Sequence, residues 1–253
     1  MSEEDEDRAY VEAYDPSAFP ANAVTADVIL LTIRSGRLAV LLVERANPPQ
    51  QGRWALPGGH LEPDEPIDAT ALRELAEETG LEAEPTHLEQ LRTYSTPGRD
   101  ARDAKMRVTS VAYLAFMPDP GAPTAGSDAR AVRFWAVDDL PEFNPNLGPD
   151  DGPILAFDHA EMLGDGLERA AAKLEYTTLA TAFVEETFTV SDLRHVYEAV
   201  WRSQIDPANF SRKVKGVEGF IEPTGGQRPT GRAPAGLFRA GAAEHISPPL
   251  LRP

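Results

Sequence analysis

The chain has 253 residues, enough for two domains of ordinary size. With 42% hydrophobic and 26% charged residues it has the balance of a soluble globular protein, and no apolar run approaches the roughly 18–20 residues that span a bilayer. A formal net charge of −17 argues against nucleic acid as a partner of the chain taken whole, and the absence of cysteine excludes disulfides, thiolate metal sites and cysteine nucleophiles.

In chain order, residues 1–21 read as a flexible acidic lead without the apolar stretch of a secretory signal, so the expected location is cytoplasmic. Residues 22–153 form the first domain. Val24–Ile33 reads as a buried strand, Arg34–Arg37 as a turn and Leu38–Val43 as the returning strand. Trp54–Leu56 is a short strand before a tight turn at Pro57-Gly58-Gly59, and Asp64–Thr79 is a helix ended by Gly80. Leu88–Ser95, Arg107–Phe116 and Ala131–Val137 complete the strands. A long helix from Ile154 to Leu174 bridges to a second domain at 175–241, and 242–253 reads as a loose tail. In the second domain Ser191 is the expected N-cap of a helix with apolar residues at Leu193, Val196, Tyr197, Val200 and Trp201, the amphipathic spacing. Asp206-Pro207 opens a basic helix running to about Lys215, and Phe220–Glu222 with Gly236–Arg239 form a hairpin. Helix, turn, basic helix, hairpin is the order of a winged helix-turn-helix.

Within the first helix Glu74, Glu77 and Glu78 are related by three and four residues and share a face, while Leu72, Leu75 and Ala76 lie opposite. Each like-charge pair destabilises an isolated helix by roughly 0.2–0.5 kcal/mol. A hard divalent cation removes that penalty, and oxygen-only ligands favour Mg²⁺ or Mn²⁺. Gly59, Glu65, Arg73, Glu74, Leu75, Glu77, Glu78, Gly80 and Leu81 fill every defined position of the Nudix signature, nine positions over 23 residues. The segment therefore resembles the Nudix hydrolases. That resemblance implies an α/β/α sandwich with a mixed sheet, metal ligation by Glu74, Glu77 and Glu78 with the Gly59 carbonyl, orientation of a glutamate by Arg73 and loop support from Glu65. Metals bridging a diphosphate would polarise phosphorus and acidify a bound water, splitting ADP-ribose into AMP and ribose 5-phosphate. Arg53, Arg99, Arg102, Lys105 and Arg107 are candidates to hold the phosphates, and the role of His60 is open.

Charge is distributed unevenly. Residues 187–253 carry 9 Lys+Arg against 6 Asp+Glu, the remainder 15 against 35, as when a basic module is appended to an acidic one. The whole chain resembles the Nudix-related transcriptional regulators of NAD metabolism, through Leu155–His159, Phe188–Val190, Tyr197–Ala199, Asn209–Lys213 and Arg232–Arg239. That resemblance implies a homodimer that binds a palindromic double-stranded operator and releases it when ADP-ribose fills the Nudix pocket. Arg212, Lys213 and Lys215 would lie on the major-groove helix, with Arg228 and Arg232 in the wing. The competing reading is a magnesium-dependent ADP-ribose or nucleotide-sugar pyrophosphatase whose extension serves dimerisation. The intact signature leaves room for hydrolysis beside regulation.

Overall fold

A computed structural model describes residues 2–81, 84–126, 129–231 and 233–253. The lead forms a helix, α1 (Glu3–Ala13), capped by a reciprocal Ser2/Asp5 box and burying none of its residues. Residues expected to be featureless thus have local helical structure, held by capping and an acidic first turn rather than by packing.

The first domain is built on a seven-stranded mixed sheet. Its strands are β1 (Asn22–Arg34), β2 (Arg37–Arg45), β3 (Trp54–Ala55), β4 (Gly58–His60), β5 (His87–Tyr94), β6 (Arg107–Phe116) and β7 (Ala129–Ala136). β3, β2, β1, β6 and β5 lie side by side in that order, while β4 pairs with β1 and β7 with β2. Among the described residues β1 and β6 are the parallel pair of strands, matched from Asn22↔Arg107 to Leu31↔Phe116. β1 reads as a continuous apolar run because both of its faces are covered. Ala26, Val28 and Leu30 pack with Ala71 and Leu75 of α2 (Ile67–Thr79), whereas Ile29 and Leu31 pack with Met162 and Leu163 of α3 (His159–Tyr176). This is the sandwich expected from the signature. The Pro57-Gly58-Gly59 turn is instead the start of β4, which pairs with Thr25–Asp27 and so presses the glycines against the central strand.

The bridging helix begins at His159 rather than Ile154; before it, Trp54 N–H donates to the Ile154 carbonyl and Ala156 N–H to the Trp54 carbonyl. Gly166 lies where an added Cβ would stand 3.1 Å from Ile29 Cγ2, so its lack of a side chain brings α3 close to β1. Beyond it come α4 (Val190–Trp201), α5 (Pro207–Gly216), β8 (Ile221–Arg228) and β9 (Ala235–Ala240), the expected winged helix. Thr189, not Ser191, caps α4, because Asp192 completes a capping box with it. The amphipathic face is as expected, with Leu193, Val196, Tyr197 and Val200 buried. The C-terminal residues are not loose. Ile246 and Leu250 are buried, Leu250 N–H donates to the Glu175 carbonyl, and Arg252 pairs with Glu168 (2.9 Å) and Glu175 (2.6 Å) of α3. Two apolar anchors and a shared cation hold them against the rest of the fold. Among the described residues, no helix is long and apolar enough to cross a membrane.

Candidate functional site

Two glycines and one arginine shape the carboxylate wall. A Cβ on Gly59 would stand 2.5 Å from Glu74 Oε2 and nearer still to Oε1, so the carboxylate fills the space a side chain would occupy. Arg73 organises the helix around itself. It holds Glu65 at 2.7 and 3.2 Å, Glu74 at 2.8 Å, Glu77 at 3.3 Å and the His60 carbonyl at 3.1 Å. Hydrogen bonding to Arg73 depresses the Glu65 pKa to about 2, so this loop glutamate is an ionised strut at any neutral pH. Burial pushes Glu74 the other way, above the usual carboxylate range, with Arg73 only partly offsetting it. Glu78 accepts from Gly58 N–H at 3.0 Å.

Glu74 and Glu78 line a cavity of about 450 Å³ together with Gly59, whereas Glu77 is largely exposed and turned to Arg73. Among the described residues no three His, Cys, Asp or Glu side chains converge as a ready-made metal cage. The Glu74 and Glu78 carboxylates are nevertheless hard oxygen donors in the same cavity. They suit a divalent cation that completes its shell with water and ligand phosphate.

Cationic side chains line the same cavity. Arg99 and Arg102, expected to meet phosphates, do line the cavity; Arg53, Lys105 and Arg107 are exposed and lie outside its lining. Arg53 belongs to the loop returning to Arg45, whose N–H donates to its carbonyl, and Arg107 is tied to the Ser95 carbonyl. Arg99 forms a bidentate pair with Asp158 at 2.7 and 2.8 Å, and Arg102 one with Asp100.

Sequence reading missed Arg45 and gave no role to Phe157. Arg45 ends β2 and stands 4.8 Å from the centre of the Phe157 ring, with Arg102 at 5.8 Å from the same ring. Burial lowers the Arg45 pKa, and the neighbouring Arg102 charge adds to the effect. Two guanidiniums held close over one aromatic ring form a place where an anion is stabilised. Phe157 itself sits at φ 52°, a left-handed conformation that costs a bulky residue about 1–3 kcal/mol. Its N–H is pinned by Gln50 Oε1 at 2.9 Å.

In the lining of the same cavity Asp27 accepts from Thr25 and Ser110. Leu56 N–H donates to His159 Nδ1 at 2.8 Å, which leaves the proton of the neutral ring on Nε2, 3.8 Å from Asp27 Oδ1. Burial holds the His159 pKa below its ordinary value. The signal for these residues was the run Leu155–His159, but sequence alone did not show that it closes the pocket.

In the second domain Asp206 caps α5 by accepting from Asn209 N–H at 2.7 Å. Phe210 and Val214 are buried, leaving Arg212, Lys213 and Lys215 on the exposed side, the arrangement expected of a groove-reading helix. Arg228, expected to reach phosphate, is paired with Asp192 at 2.7 Å and with the Thr187 carbonyl, at the root of the wing. Arg232 lies outside the described residues.

Residues 21–157 match the NUDIX domain, and residues 180–240 match the NrtR DNA-binding winged helix domain. The chain is 29% identical to the ADPR responsive transcriptional repressor NtrR of Acinetobacter baylyi, over 92% of this chain and 88% of that protein. It superposes on Shewanella oneidensis NrtR, in a structure complexed with a 27mer DNA, with a TM-score of 0.75 at 30% identity, covering 90% of this chain and 99% of the other. The NUDIX domain of that protein, in a cocrystal structure with ADP ribose, matches with a TM-score of 0.56 at 35% identity, covering 67% and 99%. An intact Nudix signature on a mixed-sheet sandwich, joined to a winged helix of the NrtR type, places this chain in the Nudix family, among its members that carry the NrtR DNA-binding domain.

Proposed function

We propose that the protein is a transcriptional repressor that senses ADP-ribose in its Nudix pocket and releases a double-stranded operator when the pocket fills. The observation that carries this reading is the joining of a nucleotide-sized cavity, lined by both carboxylates and guanidiniums, to a basic winged helix through one shared helix. The cavity divides naturally. Glu74 and Glu78 would hold a magnesium ion, Arg45 and Arg102 would meet the ligand's diphosphate, and Phe157 would offer a flat apolar surface to a ring. Bound there, the ion supplies neutralisation of the diphosphate and polarisation of its phosphorus. The protein acts as a homodimer, so that two copies of α5 reach successive major grooves of a palindrome, in the compartment that holds the DNA. NAD-metabolism genes are the proposed targets.

The second reading, hydrolysis of the same ligand, is favoured by one observation: Glu74 and Glu78 stand together at the cavity wall with Arg73 orienting the former. A repressor that hydrolysed its inducer would reset itself. The test is a gel-shift titration on DNA upstream of the chain's own gene and of NAD-synthesis genes, with and without ADP-ribose and magnesium, against scrambled DNA at matched salt. Specific binding relieved by ADP-ribose supports the repressor. Indifference to sequence on every fragment leaves the pyrophosphatase reading.

A further inference from the structure

The junction between the pocket and α3 contains an unusual choice of partner. Asp158 occupies the N-cap of α3, where an aspartate ordinarily turns its carboxylate onto the first-turn amides. Here it makes no such bond. Both carboxylate oxygens are engaged by Arg99, whose side chain is only 5% exposed and yet lines the ligand cavity. Asp158 therefore has two competing uses, an arginine in the pocket wall or its own helix. On either side of it, Phe157 is held in a strained conformation by Gln50, and His159 by the Leu56 amide. These three consecutive residues carry the pocket directly into α3.

At its other end α3 is fixed to the DNA-binding domain. Trp201 Nε1–H of α4 donates to the Ala171 carbonyl at 3.0 Å, and Tyr197 of α4 packs edge-on against Phe210 of α5, centroids 5.2 Å apart. Eighteen residues of helix extend about 27 Å, so a displacement at His159 is transmitted through a rigid rod to the elements that position α5.

We propose that Arg99 is the contact through which a diphosphate-bearing ligand acts on DNA binding: phosphate oxygens draw Arg99 from Asp158, Asp158 turns onto the first-turn amides of α3, and the helix shifts against the sheet and carries the winged helix with it. The exchange replaces one charge-assisted pair by two, Arg99 with phosphate and Asp158 with the helix N-terminus, so neither charge is left without a partner. The inference rests on the sensor reading given above and specifies its regulation.

The test is Asp158→Asn, since asparagine caps helices as well as aspartate but offers Arg99 no charge. Operator affinity is measured by fluorescence anisotropy on the tightest fragment from the gel shift, and ADP-ribose affinity by calorimetry in magnesium. The variant is expected to bind ADP-ribose at least about fivefold tighter and operator at least about fivefold weaker without ligand, because the lost Arg99 pair favours the ligand-bound arrangement. Added ADP-ribose then changes its operator affinity less than about twofold. Wild-type operator and ligand affinities in the variant, with full release by ADP-ribose, overturn the inference and leave the sensor reading intact. Wild-type protein that holds its operator equally with and without ADP-ribose overturns the sensor reading and this inference with it. Should the variant not fold, amide exchange of wild-type residues 159–162 decides: slowing on ADP-ribose addition is expected, and unchanged exchange overturns the proposal.

Discussion

Gly58 and Gly59 are adjacent, and an alanine at either would collide with a neighbour, but the two substitutions are expected to damage different properties. Neither glycine sits at positive φ, so the backbone accepts alanine and the whole effect comes from the added methyl. At Gly58 that methyl would stand 2.8 Å from Asp27 Cα and nearer still to the Ala26 carbonyl. Both atoms are backbone of β1, which is paired with β6 on its other side and packed on both faces, and cannot recede. Gly58→Ala is therefore expected to cost about 2–3 kcal/mol, in the upper range for overpacking. At Gly59 the obstacle is the far end of the Glu74 side chain, which rotates away. Restoring ordinary contact, which begins near 3.4 Å, moves Glu74 Oε2 by about 0.9 Å at little cost in stability, about 1 kcal/mol or less. A metal site tolerates displacements of only about 0.2 Å in its ligands. Gly59→Ala is thus expected to weaken magnesium-dependent ADP-ribose binding by an order of magnitude or more. Urea denaturation gives the stabilities, and calorimetry with ADP-ribose in magnesium or in EDTA gives the affinities. Equal stability losses in the two variants, or wild-type magnesium-dependent affinity in Gly59→Ala, would refute this reasoning about the wall.

Glu74→Gln is expected to raise the melting temperature in EDTA. The folded pKa of Glu74 lies above its ordinary value, so wild-type stability falls as pH rises through that window, and neutralising the side chain removes the loss; a lower melting temperature in EDTA contradicts the assignment. Glu65 has the opposite sign. Its pKa is depressed to about 2, so its contribution is present above the ordinary glutamate range and lost as pH falls from there towards 2. The acid limb of Glu65→Gln over that interval should accordingly be flatter than that of wild type in pH-dependent denaturation. Arg212→Ala and Lys213→Ala are each expected to reduce the slope of log affinity against log salt by about one in operator-binding assays. Arg228→Ala, removing a residue already paired to Asp192, is expected to leave that slope nearly unchanged.

Legibility in the sequence followed how local each feature is. The carboxylate helix could be read because its residues recur within two turns, and Arg73 with Glu65 because a fixed loop length returns the chain to the same spot. The buried face of α4 was visible in its period. Its cap was mislocated because Thr189 and Ser191 are both competent, and only the Asp192 partner decides between them. The cationic lining was half legible. Arg99 and Arg102 lie in one polar loop, whereas Arg45 and Phe157 meet only because β2 and the entry to α3 converge from positions more than a hundred residues apart. Arg53 and Arg107 have the right charge for a phosphate but the wrong placement, which composition does not encode. The C-terminal residues looked free for a similar reason: their anchors, Glu168 and Glu175, belong to a helix far away in sequence.

The apolar interior does not stop at the domain boundary. Ile29, Leu114 and Phe116 of the sheet belong to one contiguous cluster with Leu193, Phe210 and Phe220 of the winged helix, and Phe116 stacks on Phe183 between them, centroids 4.5 Å apart. Two modules that share an interior cannot be exchanged as cassettes: cutting between them would expose apolar surface on both fragments. The two halves should therefore melt in a single calorimetric transition, and new pairings of such a sensor and reader would have to arise by joint change at the seam, not by transplanting either one intact.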